Sequence, residues 1–104
     1  FEDLQRYSEC ISAAQAAVRL SDGKYPSMQF RLGSCYFDTE NWVQAANSFR
    51  LAAEADKSDP VSAFNLALSL SRQGYSVDAN EWFREALHRN PDSELRAKIL
   101  NALR

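Results

Sequence analysis

Few residues in this 104-residue chain are of the kinds that build strands, bridges or catalytic centres. Ile and Val are scarce beside Ala, Leu, Glu, Gln and Arg, and no long stretch alternates polar with apolar. That excludes a sheet and favours an all-α domain. No apolar run approaches the roughly 20 residues that cross a bilayer, and no signal-peptide pattern opens the chain. With 12 Lys and Arg against 14 Asp and Glu, the net charge of −2 supplies no basic field for nucleic acid. The single histidine, His88, has no Cys or Ser at catalytic spacing and reads as a solvated surface group rather than a general base. No C-x-x-C pair, H-E-x-x-H or phosphate-cradling loop occurs, the glycines numbering only three. We expect no enzyme, no metal and no cofactor.

Only two cysteines are present, Cys10 and Cys35. Both fall in segments that read as helix. The expectation is two buried, reduced thiols rather than a disulfide, which leans toward a cytoplasmic location. The chain opens on Phe1 instead of Met, and from this we expect a segment of something longer.

The sequence does have an internal period. Laying residues 26–59 over 60–93 without a gap matches Pro26 with Pro60, Phe30 with Phe64, Leu32 with Leu66, Val43 with Val77 and Ala45 with Ala79. Phe49 and Phe83, Arg50 and Arg84, and Ala52 and Ala86 complete the set. Most are apolar or small, the types that packing dictates. A fixed period of this length marks a repeated supersecondary unit.

Each unit reads as two helices. In the second, Asp59 caps and Pro60 takes the first helical position, where its missing N–H costs nothing. That helix carries Phe64, Leu66, Ala67 and Leu70 and ends near Gly74. The next runs from about Ser76 to Asn90, where Pro91 stops it. The first unit follows the same plan, with a helix from about Ser27 to Thr39. A capping pair of Asn41 with Gln44 then starts a helix that reaches about Asp56. Residues 2–20 put Leu4, Tyr7, Ile11, Ala14 and Val18 on one helical face, and Ser21–Tyr25 link that helix to Pro26. Residues 93–104 form a last helix with Leu95, Ile99, Leu100 and Leu103 inward and Arg96, Lys98 and Arg104 outward. Six helices result, with Leu32, Phe49, Leu66, Phe83 and Ala86 in the core.

The 34-residue helix-turn-helix period resembles the tetratricopeptide (TPR) repeat, whose pattern runs W-x2-L-G-x2-Y, then A-x3-F, then P. Residues 26–59 offer Leu32-Gly33-x-x-Tyr36 and Ala45-x-x-x-Phe49, with Gln29 at the Trp position and Lys57 at the Pro position. Residues 60–93 offer Leu66-Ala67-x-x-Leu70, Ala79-x-x-x-Phe83 and Pro91, with Ala63 at the Trp position. The resemblance implies a right-handed α-solenoid. Residues 1–25 then hold the second helix of a preceding partial repeat, with Tyr7, Cys10 and Ala17 near family positions, plus a loop. Residues 26–59 and 60–93 are two TPR units, and residues 94–104 are a C-terminal capping helix.

The resemblance also implies a binding face. In such arrays the first helix of each repeat lines a concave groove, which here takes in Phe30, Ser34, Phe37 and Asp38, then Phe64, Asn65, Leu68 and Arg72. The clamp by which some relatives hold a chaperone's C-terminal carboxylate would fall on Phe30, Ser34, Asn65, Leu95 and Ile99. Only Asn65 suits it, so chaperone tails are not the expected partner. For the groove aromatics two readings stand, anchors for a partner peptide or packing against neighbouring helices. The expected function is a non-catalytic protein–protein interaction or scaffold module binding a peptide in that groove. Two alternatives are a TPR appendage of a larger enzyme, for example a glycosyltransferase, and a small TPR secretion chaperone.

Overall fold

The computed structural model describes residues 2–20 and 26–103, and the side chains of 8–19 and 27–103. Over this span the chain folds as six helices, with no strand among the described residues. They are α1 (Glu2–Leu20), α2 (Pro26–Asp38), α3 (Trp42–Ala55), α4 (Pro60–Arg72), α5 (Ser76–His88) and α6 (Ser93–Ala102). Each helix packs on the next along the chain. The expected link over residues 21–25 lies outside the described residues, as do the side chains of Leu4, Tyr7 and Arg104.

The two 34-residue units fold alike down to their turns. Helices α2 and α4 are each 13 residues long and begin at the matched prolines, and α3 and α5 begin at matched positions 42 and 76. After α2, the Asn41 N–H reaches back to the Tyr36 carbonyl at 2.8 Å and the Glu40 N–H to Phe37 at 3.0 Å. After α4, Tyr75 reaches Leu70 and Gly74 reaches Ser71, both at 3.0 Å. This pair of bonds satisfies two orphan carbonyls at a helix end and requires a left-handed residue at the turn. Gly74 takes that place at φ 86° without strain, while Glu40 occupies it at φ 62° in the other unit. Three-residue turns between packed helices send the second back along the first, so each unit is an antiparallel pair.

Many of the repeated residues are buried, and most of those share one core. Ala45, Ala52, Ala79 and Ala86 are buried, as are Phe49 and Phe83, Leu32 and Leu66. The small residues let helices approach while the rings fill the space between them. Phe30 meets Phe49 edge-on at 5.5 Å between ring centroids, and Phe64 meets Phe83 at 5.8 Å. Ile99 of α6 joins the same core, flanked by Leu95 and Leu103. A smaller cluster of Ala14, Leu32 and Cys35, edged by Ile11 and Val18, fixes α1 on α2.

Gly33 marks the tightest approach. A Cβ there would lie 2.9 Å from two ring carbons of Phe49, a ring already held by Phe30 and Phe37. Gly33→Ala gains about 1 kcal/mol of helix propensity but overpacks a filled core, which costs about 1–3 kcal/mol. We expect a net loss near 1 kcal/mol, read as a melting-temperature fall of about 4–8 °C. A rise would mean that the Phe49 ring has room to move.

Several expectations need correction. Cys10 and Cys35 are joined by a disulfide, with Cα atoms 5.9 Å apart. The packing of α1 on α2 brings them together, and the ground for expecting reduced thiols falls away. Asn41 does not cap α3; its side-chain amide donates instead to the Thr39 hydroxyl at 2.7 Å. Leu100 is 50% exposed, because it sits one residue, about 100° of helix, away from the buried Ile99. Val43 and Val77, although matched by the period, are 58% and 74% exposed. The Asp59 cap holds as expected, accepting from the Val61 N–H at 2.9 Å with Pro60 at the first helical position.

Candidate functional site

The eight residues expected to line a groove lie on α2 and α4, the first helices of the two units. Phe30, Phe64 and Leu68 are half-buried against the core, and the ring contacts of Phe30 and Phe64 account for their recurrence. Phe37 meets Trp42 edge-on at 4.8 Å and also leans on Phe49. Ser34 and Asn65 are half-buried, the Asn65 carbonyl accepting from the Ser69 hydroxyl at 2.9 Å. Asp38 and Arg72 are exposed. They occupy matched positions, each the last residue of its helix, so the repeat presents a negative charge and then a positive one.

Trp42 brings two of these residues together across the units. The Arg72 guanidinium stands 5.6 Å from the Trp42 ring centroid, and Phe37 packs on the same ring. Gln73, next to Arg72, donates to the Trp42 and Ser69 carbonyls. A cation over an exposed Trp face contributes about 0.5–1 kcal/mol, so Arg72 both displays charge and ties α4 to α3. Trp42 beneath Arg72 leaves no mark in the repeat pattern, because the contact crosses from one unit to the other.

At the opposite end of the two helices, Phe30 lines an open cavity of about 370 Å³ with Ser27, Asp56, Asp59 and Val61. Both carboxylates are already engaged. Asp59 accepts from the Val61 and Ser62 amides and the Ser62 hydroxyl. Asp56 accepts from the Ser58 hydroxyl at 2.6 Å and its N–H at 3.1 Å, and these bonds hold its carboxyl below the usual value. The cavity thus offers an apolar wall with its charges satisfied from within.

A second cavity, of about 390 Å³, is lined by Glu54, Lys57, Glu81, Trp82, Glu85 and Arg89. Arg89 organises it. Its Nη1 donates to the carbonyls of Ala53 at 3.0 Å, Asp59 at 3.1 Å and Asp56 at 3.2 Å. Its Nε pairs with Glu85 at 2.9 Å, and the guanidinium lies 5.9 Å from the Trp82 ring centroid. The end of α5 is thereby tied to the last turn of α3 and the turn that follows it. The period could not reveal this hub, because the position matched to Arg89 is Ala55 and those matched to Trp82 and Glu85 are Ser48 and Leu51. The signal lay in the spacing of 82, 85 and 89, one stripe of one helix.

His88 is exposed near the end of α5. No group of three or more His, Cys, Asp or Glu placed to hold a metal occurs among the described residues, and no described helix is long and apolar enough to cross a membrane. No protein-family model matches the chain, and no curated protein matches it.

Proposed function

We propose that the chain is a short TPR-like α-solenoid serving as a non-catalytic protein–protein interaction module. One observation carries this reading: the two 34-residue units share helix starts, turn hydrogen bonds and ring contacts position by position. Stacked equivalent units generate an extended surface on which matched positions recur at regular intervals. Here that surface presents Asp38 and Arg72 at matched helix ends and partly exposed faces of Phe30, Phe37, Phe64 and Leu68 between them. Such a surface suits a peptide with apolar anchors and a charge to fix its direction.

The test is selection of binding peptides from a displayed random library against the 104-residue chain, followed by titration of the selected peptides with variants. Phe37→Ala and Arg72→Glu should each weaken binding by about 30-fold, the loss expected of an anchor worth about 2 kcal/mol. The Arg72→Glu loss should shrink at high salt. Losing the Trp42 contact should cost Arg72→Glu no more than about 1 kcal/mol of stability, so the variant stays folded. Wild-type affinity in both variants would remove the groove as the site.

A further inference from the structure

We propose that the Cys10–Cys35 disulfide is a redox-sensitive clasp that decides whether α1 stays closed on α2. The bond joins two helices that also pack on each other through a small apolar cluster. Helix α1 packs on α2 and makes no extensive contact with another helix among the described residues. Among the described residues, its apolar attachment is the Ala14, Leu32 and Cys35 cluster, edged by Ile11 and Val18 and linked through Tyr36 to the main core built by α3 to α6. A side-chain hydrogen bond reinforces it, from the Gln15 amide to the Tyr36 hydroxyl at 2.7 Å.

The two cysteines differ in exposure. Cys35 is 2% exposed, while Cys10 is half-buried at the helix edge. A thiolate from a dithiol reductant therefore attacks the Cys10 Sγ. The S–S bond breaks, a mixed disulfide forms on Cys10, and Cys35 departs as a thiolate that takes up a proton. The second thiol of the reductant then displaces Cys10, leaving two protein thiols and a cyclic oxidised reductant. Two electrons and two protons pass to the protein.

Among the described residues, reduction leaves α1 held by the small cluster and the Gln15 bond, whereas α2 to α6 keep their core. The cross-link spans 25 residues of chain, and losing a constraint of that length favours the open form by about two orders of magnitude.

The experiment is hydrogen exchange read by mass spectrometry on the 104-residue chain, first oxidised with glutathione disulfide and then treated with dithiothreitol. Amides of residues 8–19 should exchange at least about tenfold faster after reduction, with those of α3 to α5 unchanged. Cys10→Ser should reproduce the reduced pattern without any reductant. Unchanged exchange in α1, or equal acceleration in every helix, would overturn the clasp. So would two titratable thiols persisting after oxidation, or failure of Cys10→Ser to fold, since the core is held not to need the bond.

Discussion

Phe49→Ala should lower stability by about 3–5 kcal/mol, the cost of emptying a buried aromatic site. The ring is 1% exposed and enclosed by Phe30, Phe37 and the bare Cα of Gly33. All three neighbours stand on α2, and a helix cannot collapse far into the hole, which places the loss toward the upper end. A domain of this size has about 5–15 kcal/mol in all, so a third or more goes with one side chain. Thermal unfolding followed by circular dichroism should show a fall of at least about 12 °C. Phe83→Ala, at the matched position with Phe64 on its ring, should behave similarly. A loss below about 1 kcal/mol at either site would mean that the ring is not enclosed.

Arg89→Ala should cost about 2–4 kcal/mol, with Glu85→Ala well below it. Helix-surface ion pairs four residues apart contribute only about 0.3–0.5 kcal/mol, and Glu85 is 44% exposed. The Arg89 side chain is 6% exposed and serves three backbone carbonyls. Hydrogen bonds from a charged donor contribute about 1.5–3 kcal/mol each, less when they share one nitrogen, and the carbonyls freed by truncation regain some water. Arg89→Lys should recover part of the loss, since an ammonium can replace one point of contact but not the planar fork that reaches Glu85 as well. Chemical denaturation of the three variants checks the order. If Glu85→Ala costs as much as Arg89→Ala, the ion pair matters and the carbonyl hub does not.

What the sequence disclosed follows from what packing constrains. Ala45 with Ala79, Phe49 with Phe83 and Ala52 with Ala86 had to match because the same helices meet at the same distance in both units. Helix number, order and most boundaries came with them. Matching alone does not imply burial, as the exposed Val43 and Val77 show. Leu100 looked inward on composition, yet Leu95, Ile99 and Leu103, spaced by four, already define the buried stripe. The disulfide was illegible, since a separation of 25 residues says nothing about distance until α1 is laid on α2. Of the candidate face, the helices and the two charges could be read from the period. The Trp42 bridge from Phe37 to Arg72 joins residues of different units, which no overlay of one unit on the other displays.

Two units of 34 residues adopt one packed helix pair twice over. Multidimensional NMR on the 104-residue chain tests it most directly through chemical shifts and ring-to-ring Overhauser contacts. The account predicts helical shifts over 26–38, 42–55, 60–72 and 76–88, with paired contacts Phe30 to Phe49 and Phe64 to Phe83. Extended-strand shifts in any of these spans, or one ring contact without its partner, would contradict it.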